Sequence, residues 1–289
     1  MANDKLSLSA DGLSKLKADE GEIDGLYDDP SGYCTSGVGH LVHQTDKWSC
    51  FLLQAATTDD DFKTTVQKKW PGRSYETPYL TRGAAFVEKK FDGLKEKAVT
   101  AAREAIAQKR HKNSFDKLAK ADQDKVASDA VEAVNEQAKM LAKTTDSTLT
   151  EDIQPFEKTV RSSITIELTQ EQFDALVSLC FNIGSTAFSS SNLVKEINKN
   201  KHVSGEAKDR KIAIAAIESA FAAWNKSGGV VLDGLTKRRK VESDRFLATA
   251  RAQLLALEKA TPTAPTGPKS GAPAPVGGPA PVAGPAVKP

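Results

Sequence analysis

The sequence contains no long apolar segment. Nowhere do about 18 apolar residues follow one another, so no helix is expected to cross a membrane. The first thirty residues also lack the apolar stretch of a secretory signal and carry acidic residues instead. We therefore expect a protein that is made in the cytoplasm and has no stable membrane insertion.

Cysteine and histidine are scarce. Three cysteines exclude a small domain built on a disulfide framework, and four histidines argue against a histidine-built metal site. His40 and His43 have a spacing that metal sites use, but no third ligand lies nearby in the sequence. We expect the His40 imidazole to form an ordinary hydrogen bond with a carboxylate or the backbone. Because the sequence has no phosphate-binding loop and no zinc pattern, we expect no metal and no cofactor.

The net charge is close to zero, with 40 Lys and Arg residues against 38 Asp and Glu residues. This balance argues against nucleic acid as a partner. However, residues 1–44 hold three Lys against eight acids, and residues 221–260 hold eight Lys and Arg against four acids. Two ends of opposite sign cancel in the sum, so the sequence predicts a basic surface near the C-terminus that suits an anionic polymer.

The two ends of the chain are the easiest parts to assign. Near the N-terminus, Leu13 and Leu16 lie on one face of an amphipathic helix, with Ser9 or Asp11 as the candidate N-cap. Residues 261–289 hold nine of the 13 prolines. Proline fixes φ and removes a backbone donor, so this composition predicts an extended, disordered tail that adds nothing to a core.

Residues 81–143 are rich in Ala, Lys and Glu and contain no proline. Their apolar positions recur every three or four residues, which predicts two helices. The turn signal Lys112-Asn113-Ser114 between them favours an antiparallel hairpin. Because the apolar stripe is sparse and rich in alanine, we expect a thin, solvated helical projection. The preceding residues 45–78 give no clear assignment.

The second half of the chain carries stronger helical patterns. Thr169 followed by Gln172 predicts a capping box at the start of a helix. A later apolar pattern from Ile212 to Trp224 predicts another helix, which we expect to stop at the glycine pair Gly228-Gly229.

Three residues near the N-terminus form the pattern with the clearest chemistry. Glu20 ends the first predicted helix, Asp29 follows nine residues later, and Thr35 follows six residues after that. Glycines between and after them favour a tight β-hairpin that returns towards Glu20. Hydrolysis of a glycosidic bond needs one carboxylic acid to protonate the leaving oxygen and a second carboxylate on the other face. From spacing alone, however, ordinary surface acids are the simpler interpretation and the one that we favour, because 38 acids make such spacings common.

Several motifs that follow one another along the chain support the interpretation of Glu20 and Asp29 as the two acids of glycosidic bond hydrolysis. They are Glu20-Gly, Leu26-Tyr27, Thr35, Gly37-Val-Gly39-His40, Leu168–Gly184, Ala187–Val194, Phe221–Trp224, Gly228–Leu235 and Arg238–Glu242. Together they resemble the active-site signature, central helix and C-terminal block of the phage-type lysozymes, glycoside hydrolase family 24. The resemblance covers about 150 residues, mainly 10–44 and 150–250.

The resemblance implies a peptidoglycan-degrading glycosidase, a lysozyme or muramidase. Such an enzyme cleaves the β-1,4 bond between N-acetylmuramic acid and N-acetylglucosamine. Glu20 would be the general acid, Asp29 the base or electrostatic partner, and Thr35 the residue that positions the attacking water. Arg238 and Arg239 would bind substrate, since a basic residue of this block faces the catalytic acid in the family. A solvated helix face is the alternative for both arginines.

The implied fold is α+β, mostly α. It is a lysozyme-like two-lobed fold with a small β-hairpin N-terminal lobe, a helical C-terminal lobe and an extra helical insertion. The expected catalytic domain spans residues 1–260, divided into a small lobe at about 10–80, the insertion at about 81–143 and a helical lobe at about 144–260. Compact members of the family have far less chain between the lobes.

Cys34 and Cys50 flank the glycine-rich turn, and related sequences often place cysteines in a similar way. Two alternatives remain open from the sequence. They form a disulfide in an oxidising periplasm or exterior, or they remain two free thiols in the cytosol.

The biological setting that the resemblance implies is lysis of a bacterium by a phage. We expect a monomeric endolysin that is made in the host cytoplasm and depends on a separate holin for export. It would then act on peptidoglycan in the periplasm or exterior. The alternatives are a catalytically silent wall-binding module, a virion-associated protein on the same fold, and a lytic transglycosylase, which needs no water-activating Asp.

Overall fold

The computed structural model describes residues 3–60, 66–67, 78–81 and 88–260. The helices are α1 (Ala10–Glu20), α2 (Phe51–Thr58), α3 (Glu88–His111), α4 (Lys120–Ala142), α5 (Thr145–Ser163), α6 (Gln170–Ile183), α7 (Ser185–Ser190), α8 (Asn192–Asn198), α9 (Lys201–Ser204), α10 (Ala207–Ala222) and α11 (Asp233–Ala260). The strands are β1 (Ile23–Asp28), β2 (Cys34–Gly37), β3 (His40–Leu41), β4 (Val66–Gln67), β5 (Tyr79–Thr81), β6 (Lys226–Ser227) and β7 (Val230–Val231). The prediction of an α+β, mostly α fold is confirmed. The predicted disordered tail lies outside the described residues.

The strands β1 to β5 form one antiparallel sheet in the order β3-β2-β1-β5-β4. The predicted hairpin is therefore only part of the sheet. Strands β4 and β5 come from the region around residues 45–81, whose tryptophans, prolines and glycines gave no periodic pattern. A two-residue or three-residue strand is too short for alternation to be visible in the sequence.

The first hydrophobic core, which we call the sheet core, joins this sheet to α2, α3 and α4. Leu26 on β1, Phe51 and Leu52 on α2, and Leu80 on β5 are at most 1% exposed and lie in one contiguous cluster. The same cluster continues into the helical hairpin. Its buried members there are Leu94, Ala98, Ala102, Ile106 and Ala107 on α3 and Val126, Ala130, Ala133, Val134, Met140 and Leu141 on α4.

The predicted antiparallel hairpin is present, since α3 and α4 pack against each other on either side of the turn after His111. A solvated projection, however, is wrong. Ala98 and Ala102 on α3 belong to one buried cluster with Val126 and Ala130 on α4, and all four are 0% exposed. Alanine allows two helices to approach closely, so a sparse stripe of small residues can still make a dry interface. The hairpin is thus a main part of the sheet core.

The second hydrophobic core, the helix core, is built from α1 and from α5 to α11. Its largest buried side chains are the phenylalanines Phe173, Phe188, Phe221 and Phe246, each 0% exposed. Leu16 on α1 belongs to this core rather than to the sheet core. The N-terminal helix therefore precedes the sheet in sequence but packs with the C-terminal helices.

Two end signals of helices are confirmed. The Ser9 side chain accepts a hydrogen bond from the Gly12 N–H and so caps α1. Thr169 and Gln172 form the predicted capping box of α6. In contrast, the helix predicted to stop at Gly228-Gly229 ends at Ala222. The two glycines, with φ of 57° and 83°, instead form the turn between β6 and β7, a conformation typical of a tight hairpin.

The predicted apolar face of α10 is confirmed at Phe221, which is buried in the helix core, but is wrong at Ile212, which is 60% exposed. Ile214 and Ile217 are buried instead. The run of alanines between them made both faces of the helix look similar in sequence. Among the described helices, none is both long enough and apolar enough to cross a membrane.

Candidate active site

Glu20 is the last residue of α1. The helix ends there because Gly21 has φ of 78°, a left-handed backbone value that glycine adopts without steric cost, and its N–H closes the last turn on the Lys17 carbonyl. The Glu20 side chain is 25% exposed. A helix end followed at once by β1 thus leaves this carboxyl at the junction between α1 and the sheet.

Arg238 on α11 reaches Glu20 from the far end of the chain. Its Nη1 donates to Glu20 Oε1 at 2.6 Å, although 218 residues separate the two positions. Its Nη2 donates to the Ser178 backbone carbonyl at 3.2 Å, and its side chain is 7% exposed. Burial lowers the pKa of Arg238, but the carboxylates of Glu20 and Glu242 act against it, and the net pKa is raised.

Arg239 lies next to Arg238 but points into the protein. It is 1% exposed, and its Nη2 donates to Glu242 Oε1 at 2.9 Å. Its Nη1 donates to Asn182 Oδ1 at 3.1 Å. The expected pair of cleft arginines is therefore divided: Arg238 contacts the candidate acid, whereas Arg239 contacts Glu242 beneath it. Asn182 acts here as a hydrogen-bond acceptor for the C-terminal helix.

Asp29 follows β1 directly and begins the turn to β2. Its Oδ1 accepts hydrogen bonds from the backbone N–H groups of Ser31 at 2.7 Å and Tyr33 at 3.0 Å. Its own N–H donates to the Tyr33 carbonyl at 2.9 Å. One carboxylate oxygen therefore fixes the turn, which orients the whole carboxylate relative to the sheet.

Thr35 lies on β2 and is 3% exposed. Its Oγ1 donates to the Tyr33 carbonyl at 3.0 Å, so the oxygen keeps lone pairs that can accept a hydrogen bond from water. Thr35 pairs with Tyr27 on β1. Since side chains two residues apart lie on the same face of a strand, Asp29 and Thr35 are diagonal neighbours on one face of the β1–β2 hairpin.

The acids next to the candidate pair have other partners. Glu22 forms an ion pair with Lys17 at 2.9 Å, and its side chain is 34% exposed. The Asp28 Oδ1 accepts the Cys50 backbone N–H at 2.6 Å, at the start of α2. Burial raises the pKa of Asp28. The alternation of β1 turns Asp28 away from the face that carries Asp29.

Cys34 and Cys50 form a disulfide, which decides between the two alternatives left by the sequence. The bond joins β2, one residue before Thr35, to the start of α2. Cys50 also donates its N–H to Asp28. The strand that carries Thr35 and the turn that carries Asp29 are therefore both tied to the same point at the start of α2.

The two histidines of the His-x-x-His pattern have separate partners. His40 Nδ1 lies 2.8 Å from Asp152 on α5, and His43 Nδ1 lies 2.8 Å from Glu136 on α4. Each therefore hydrogen-bonds to a carboxylate, as expected for His40. Among the described residues, no group of three or more His, Cys, Asp or Glu side chains is arranged to hold a metal ion.

The sequence model of the family described as phage lysozyme matches residues 89–242, more than half of the chain. This chain belongs to the phage lysozyme family. The matched range begins in α3 and ends at Glu242, so it includes Arg238 and Arg239 but not Glu20, Asp29 or Thr35. It also includes most of the helical hairpin of α3 and α4, which the sequence motifs predict to be an insertion relative to compact members of the family.

Individual relatives of this phage lysozyme family member include curated endolysins. The endolysin of Bacillus phage PZA is 40% identical over 105 residues, which are 36% of this chain and 36% of that protein. The endolysin of Salmonella phage P22 is 35% identical over 100 residues, which are 35% of this chain and 60% of that protein. The chain thus spans less than two thirds of the length of these relatives.

A solved structure, the muramidase domain of SpmX from Asticaccaulis excentricus, is 20% identical in sequence to this chain. The alignment covers 84% of this chain and 99% of that one, with a TM-score of 0.43.

Two residues of this family member were missed as parts of the site. Ser178 donates its hydroxyl to Glu242 Oε1 at 2.7 Å, and Glu242 Oε1 lies 3.2 Å from Arg238 Nε. The spacing of Glu242, four residues after Arg238 and three after Arg239, is a signal that could have found it, since such pairs share a helix face. Ser178 has no comparable signal, because its contact depends on how α6 packs against α11.

Proposed function

We propose that this chain is a lysozyme that hydrolyses the β-1,4 bond between N-acetylmuramic acid and N-acetylglucosamine in bacterial peptidoglycan. Glu20 protonates the leaving oxygen, Asp29 is the base or electrostatic partner, and Thr35 accepts a hydrogen bond from the attacking water. The two carboxylates then fill the two roles that glycoside hydrolysis requires.

The observation that carries this proposal is the contact between Glu20 and Arg238. A guanidinium that is 7% exposed is held at 2.6 Å from one carboxylate at the end of a helix, by contacts from α6 and α11. Ordinary surface acids, the simpler interpretation, do not receive such a buried partner. The Asp29 turn and the Thr35 hydroxyl on one face of the hairpin support the assignment of the other two roles.

Arg238 acts on the substrate through Glu20, whose orientation it fixes. We propose that Arg239 supports it from beneath and that the basic C-terminal region attracts the anionic cell wall over a longer range. The setting remains the one expected from the sequence: a monomeric endolysin of a phage, made in the host cytoplasm and released to the wall through a holin.

The experiment compares clearing of permeabilised bacterial cells by wild type, Glu20→Gln and Asp29→Asn, with Glu22→Gln as the matched control. Glu20→Gln keeps an oxygen for Arg238 but cannot give up a proton, so we expect a loss of activity of about 100-fold to 10,000-fold. Glu22→Gln removes an acid two residues away and should keep most of the activity. Full activity of folded Glu20→Gln would refute the assignment.

The products identify the reaction class. Mass analysis of muropeptides released from purified sacculi should find ordinary reducing ends, since hydrolysis adds water across the broken bond. An anhydro ring on the muramic acid would instead identify a lytic transglycosylase. Binding to sacculi without any released fragment would identify a silent wall-binding module.

A further inference from the structure

The carboxylate of Glu242 lies beneath the pair of arginines at the candidate active site. It is on the third turn of α11, its side chain is 5% exposed, and it contacts both guanidinium groups. Glu242 Oε1 lies 3.2 Å from Arg238 Nε, and Glu242 Oε2 lies 2.8 Å from Arg239 Nε. A carboxylate this deeply buried is costly unless charged partners compensate it, and here two are present.

The contacts of Glu242 determine where Arg238 points. Its Oε1 holds the Nε side of the Arg238 guanidinium, and Ser178 holds Nη2 through its backbone carbonyl. Only Nη1 is then directed at Glu20, at 2.6 Å. Ser178 also donates its hydroxyl to Glu242 Oε1 at 2.7 Å. This hydrogen bond holds the Glu242 carboxylate in place, and the carboxylate in turn orients Arg238.

Besides Glu20, this group contains two guanidinium groups and two carboxylates, whose formal charges cancel one another. Arg238 and Arg239 supply two positive charges, and Glu242 and Asp19 supply two negative charges, with Asp19 Oδ2 at 3.6 Å from Arg238 Nε. A general acid must hold its proton until the leaving oxygen takes it. Without the Glu242 charge, protonated Glu20 would face a partly buried cluster with one uncompensated positive charge, and release of its proton would become easier.

Several other charged groups near α11 form ion pairs of their own, whereas Asp233 and Lys237 lie on the first turns of the same helix. Arg245 contacts Asp11 on α1 and Asp174 on α6, each at 2.8 Å. Arg251 pairs with Glu218 on α10, and Lys240 pairs with Asp244 at 2.9 Å. On the α1 side, Lys17 pairs with Glu22 and Asp146. His202 on α9, which is 0% exposed, lies against Phe246.

We propose that Glu242 is a positioning residue that aims Arg238 at Glu20 and neutralises the arginine pair, so that Glu20 keeps its proton to a higher pH. This inference rests on the proposed function, because it assigns Glu242 a task only if Glu20 is the general acid. Burial raises the pKa of Glu242, and the guanidinium groups of Arg239 and Arg238 act in the opposite direction. Burial lowers the pKa of Arg239, and Glu242 opposes that shift.

The test measures cell clearing as a function of pH, from about pH 5 to about pH 9 at constant ionic strength, where the alkaline fall reports loss of the acid's proton. Glu242→Gln keeps the shape of the side chain but removes its charge. We expect the alkaline fall to move down by about one pH unit. Glu242→Asp, which keeps the charge, should return the alkaline fall towards its wild-type pH. The matched control Asp244→Asn, which removes an ion-paired acid from the same helix, should leave the pH of the alkaline fall unchanged.

A second variant makes the opposite prediction. Arg239→Gln removes one positive charge from the same cluster, so Glu20 should keep its proton to higher pH and the alkaline fall should move up. The double variant Arg239→Gln/Glu242→Gln should return it close to wild type. A role in stability alone cannot produce opposite shifts that cancel. If Glu242→Gln does not fold, the upward shift expected for Arg239→Gln still tests the proposal.

The result that overturns the proposal is an alkaline fall that stays at the same pH in both single variants while only the overall activity decreases. That outcome leaves the proposed function intact, provided that Glu20→Gln is still inactive. If Glu20→Gln is active, the proposed function fails first, and the pH profile no longer reports on Glu20.

Discussion

The sheet core and the helix core of this phage lysozyme family member are stabilised in different ways. Four fully buried phenylalanines fill the helix core, which contains no disulfide among the described residues. The helical hairpin contributes alanines and a few aliphatic residues to the sheet core, and a disulfide closes this core at Cys34 and Cys50. Large side chains bury more apolar surface per residue, so the sheet core depends more on close helix contacts and on its covalent link.

The largest expected effect comes from emptying the helix core. Phe246→Ala removes a ring that lies 5.9 Å from Phe221 and 5.8 Å from His202. We expect the free energy of unfolding to fall by about 3–5 kcal/mol, through lost burial and a cavity. Denaturant unfolding measures the loss, and hydrogen exchange should accelerate in α6 more than in α4.

The control for that variant is Phe91→Ala, a partly buried ring at the edge of the sheet core. It should cost clearly less and should not affect exchange in α6. Equal acceleration in α4 and α6 after Phe246→Ala would contradict the comparison, because it would mean that the two cores unfold as one unit.

A smaller effect is expected from opening the disulfide. Cys34 and Cys50 are 16 residues apart, and a link that closes a loop of this length stabilises a protein by about 3 kcal/mol in the chain-entropy account. Reduction should therefore lower the thermal unfolding midpoint and accelerate exchange in β2 and α2, while α6 and α11 stay protected. An unchanged midpoint after verified reduction would refute this dependence.

The third cysteine does not interfere with that experiment. Cys180 is buried in the helix core, and burial raises the pKa of its thiol to about 12. It therefore stays protonated at neutral pH and reacts slowly with thiol reagents. Cys34 and Cys50 are buried as well, so after reduction alkylation should reach them only as the sheet core opens, and it should leave Cys180 unmodified while the helix core stays folded.

The smallest effect concerns the buried histidines, of which each core has one. His43 contacts Glu136 and Gln137, whereas both ring nitrogens of His202 lack a hydrogen-bond partner in the described structure. Burial, with Arg210 in addition, lowers the pKa of His202, so the unfolded chain takes up a proton at higher pH than the folded one. Stability from this residue is complete above about pH 6.5 and is lost as the pH falls.

His202→Leu should weaken that dependence, by at most about 1.4 kcal/mol per pH unit. Unfolding measured between about pH 7 and about pH 5 tests the slope, with exposed His111→Gln as the control that should not change it. If His202→Leu has the wild-type slope, the acid sensitivity resides elsewhere.

Local signals in the sequence predicted the helices well. Ser9, Thr169 and Gln172 act at helix ends as their hydrogen-bonding groups require, and the hairpin turns where Lys112-Asn113-Ser114 predicted. Such signals succeed because a cap or turn is satisfied by residues a few positions away. The predictions failed where burial decided, as with the exposed Ile212 and the buried alanine stripe of α3 and α4.

For the candidate site, the sequence supplied the residues but not their contacts. The spacing of Glu20, Asp29 and Thr35 was too common to be informative without the resemblance to a family. The contact of Asp28 with the Cys50 N–H was not visible in the sequence, because it depends on the alternation of β1 and the position of α2.

By itself, the sequence determined the caps of α1 and α6 and the turn of the helical hairpin, which residues can carry acid and base chemistry, and which two cysteines lie near the glycine-rich turn. The tertiary structure alone decided that α1 packs with the helix core, that α3 and α4 complete the sheet core, and that Arg238 meets Glu20 across 218 residues. The physical reason is the distance along the chain over which each kind of interaction acts. Capping and turn geometry act over a few residues, whereas the burial of a guanidinium and its counter-ions depends on helices that only the folded chain brings together.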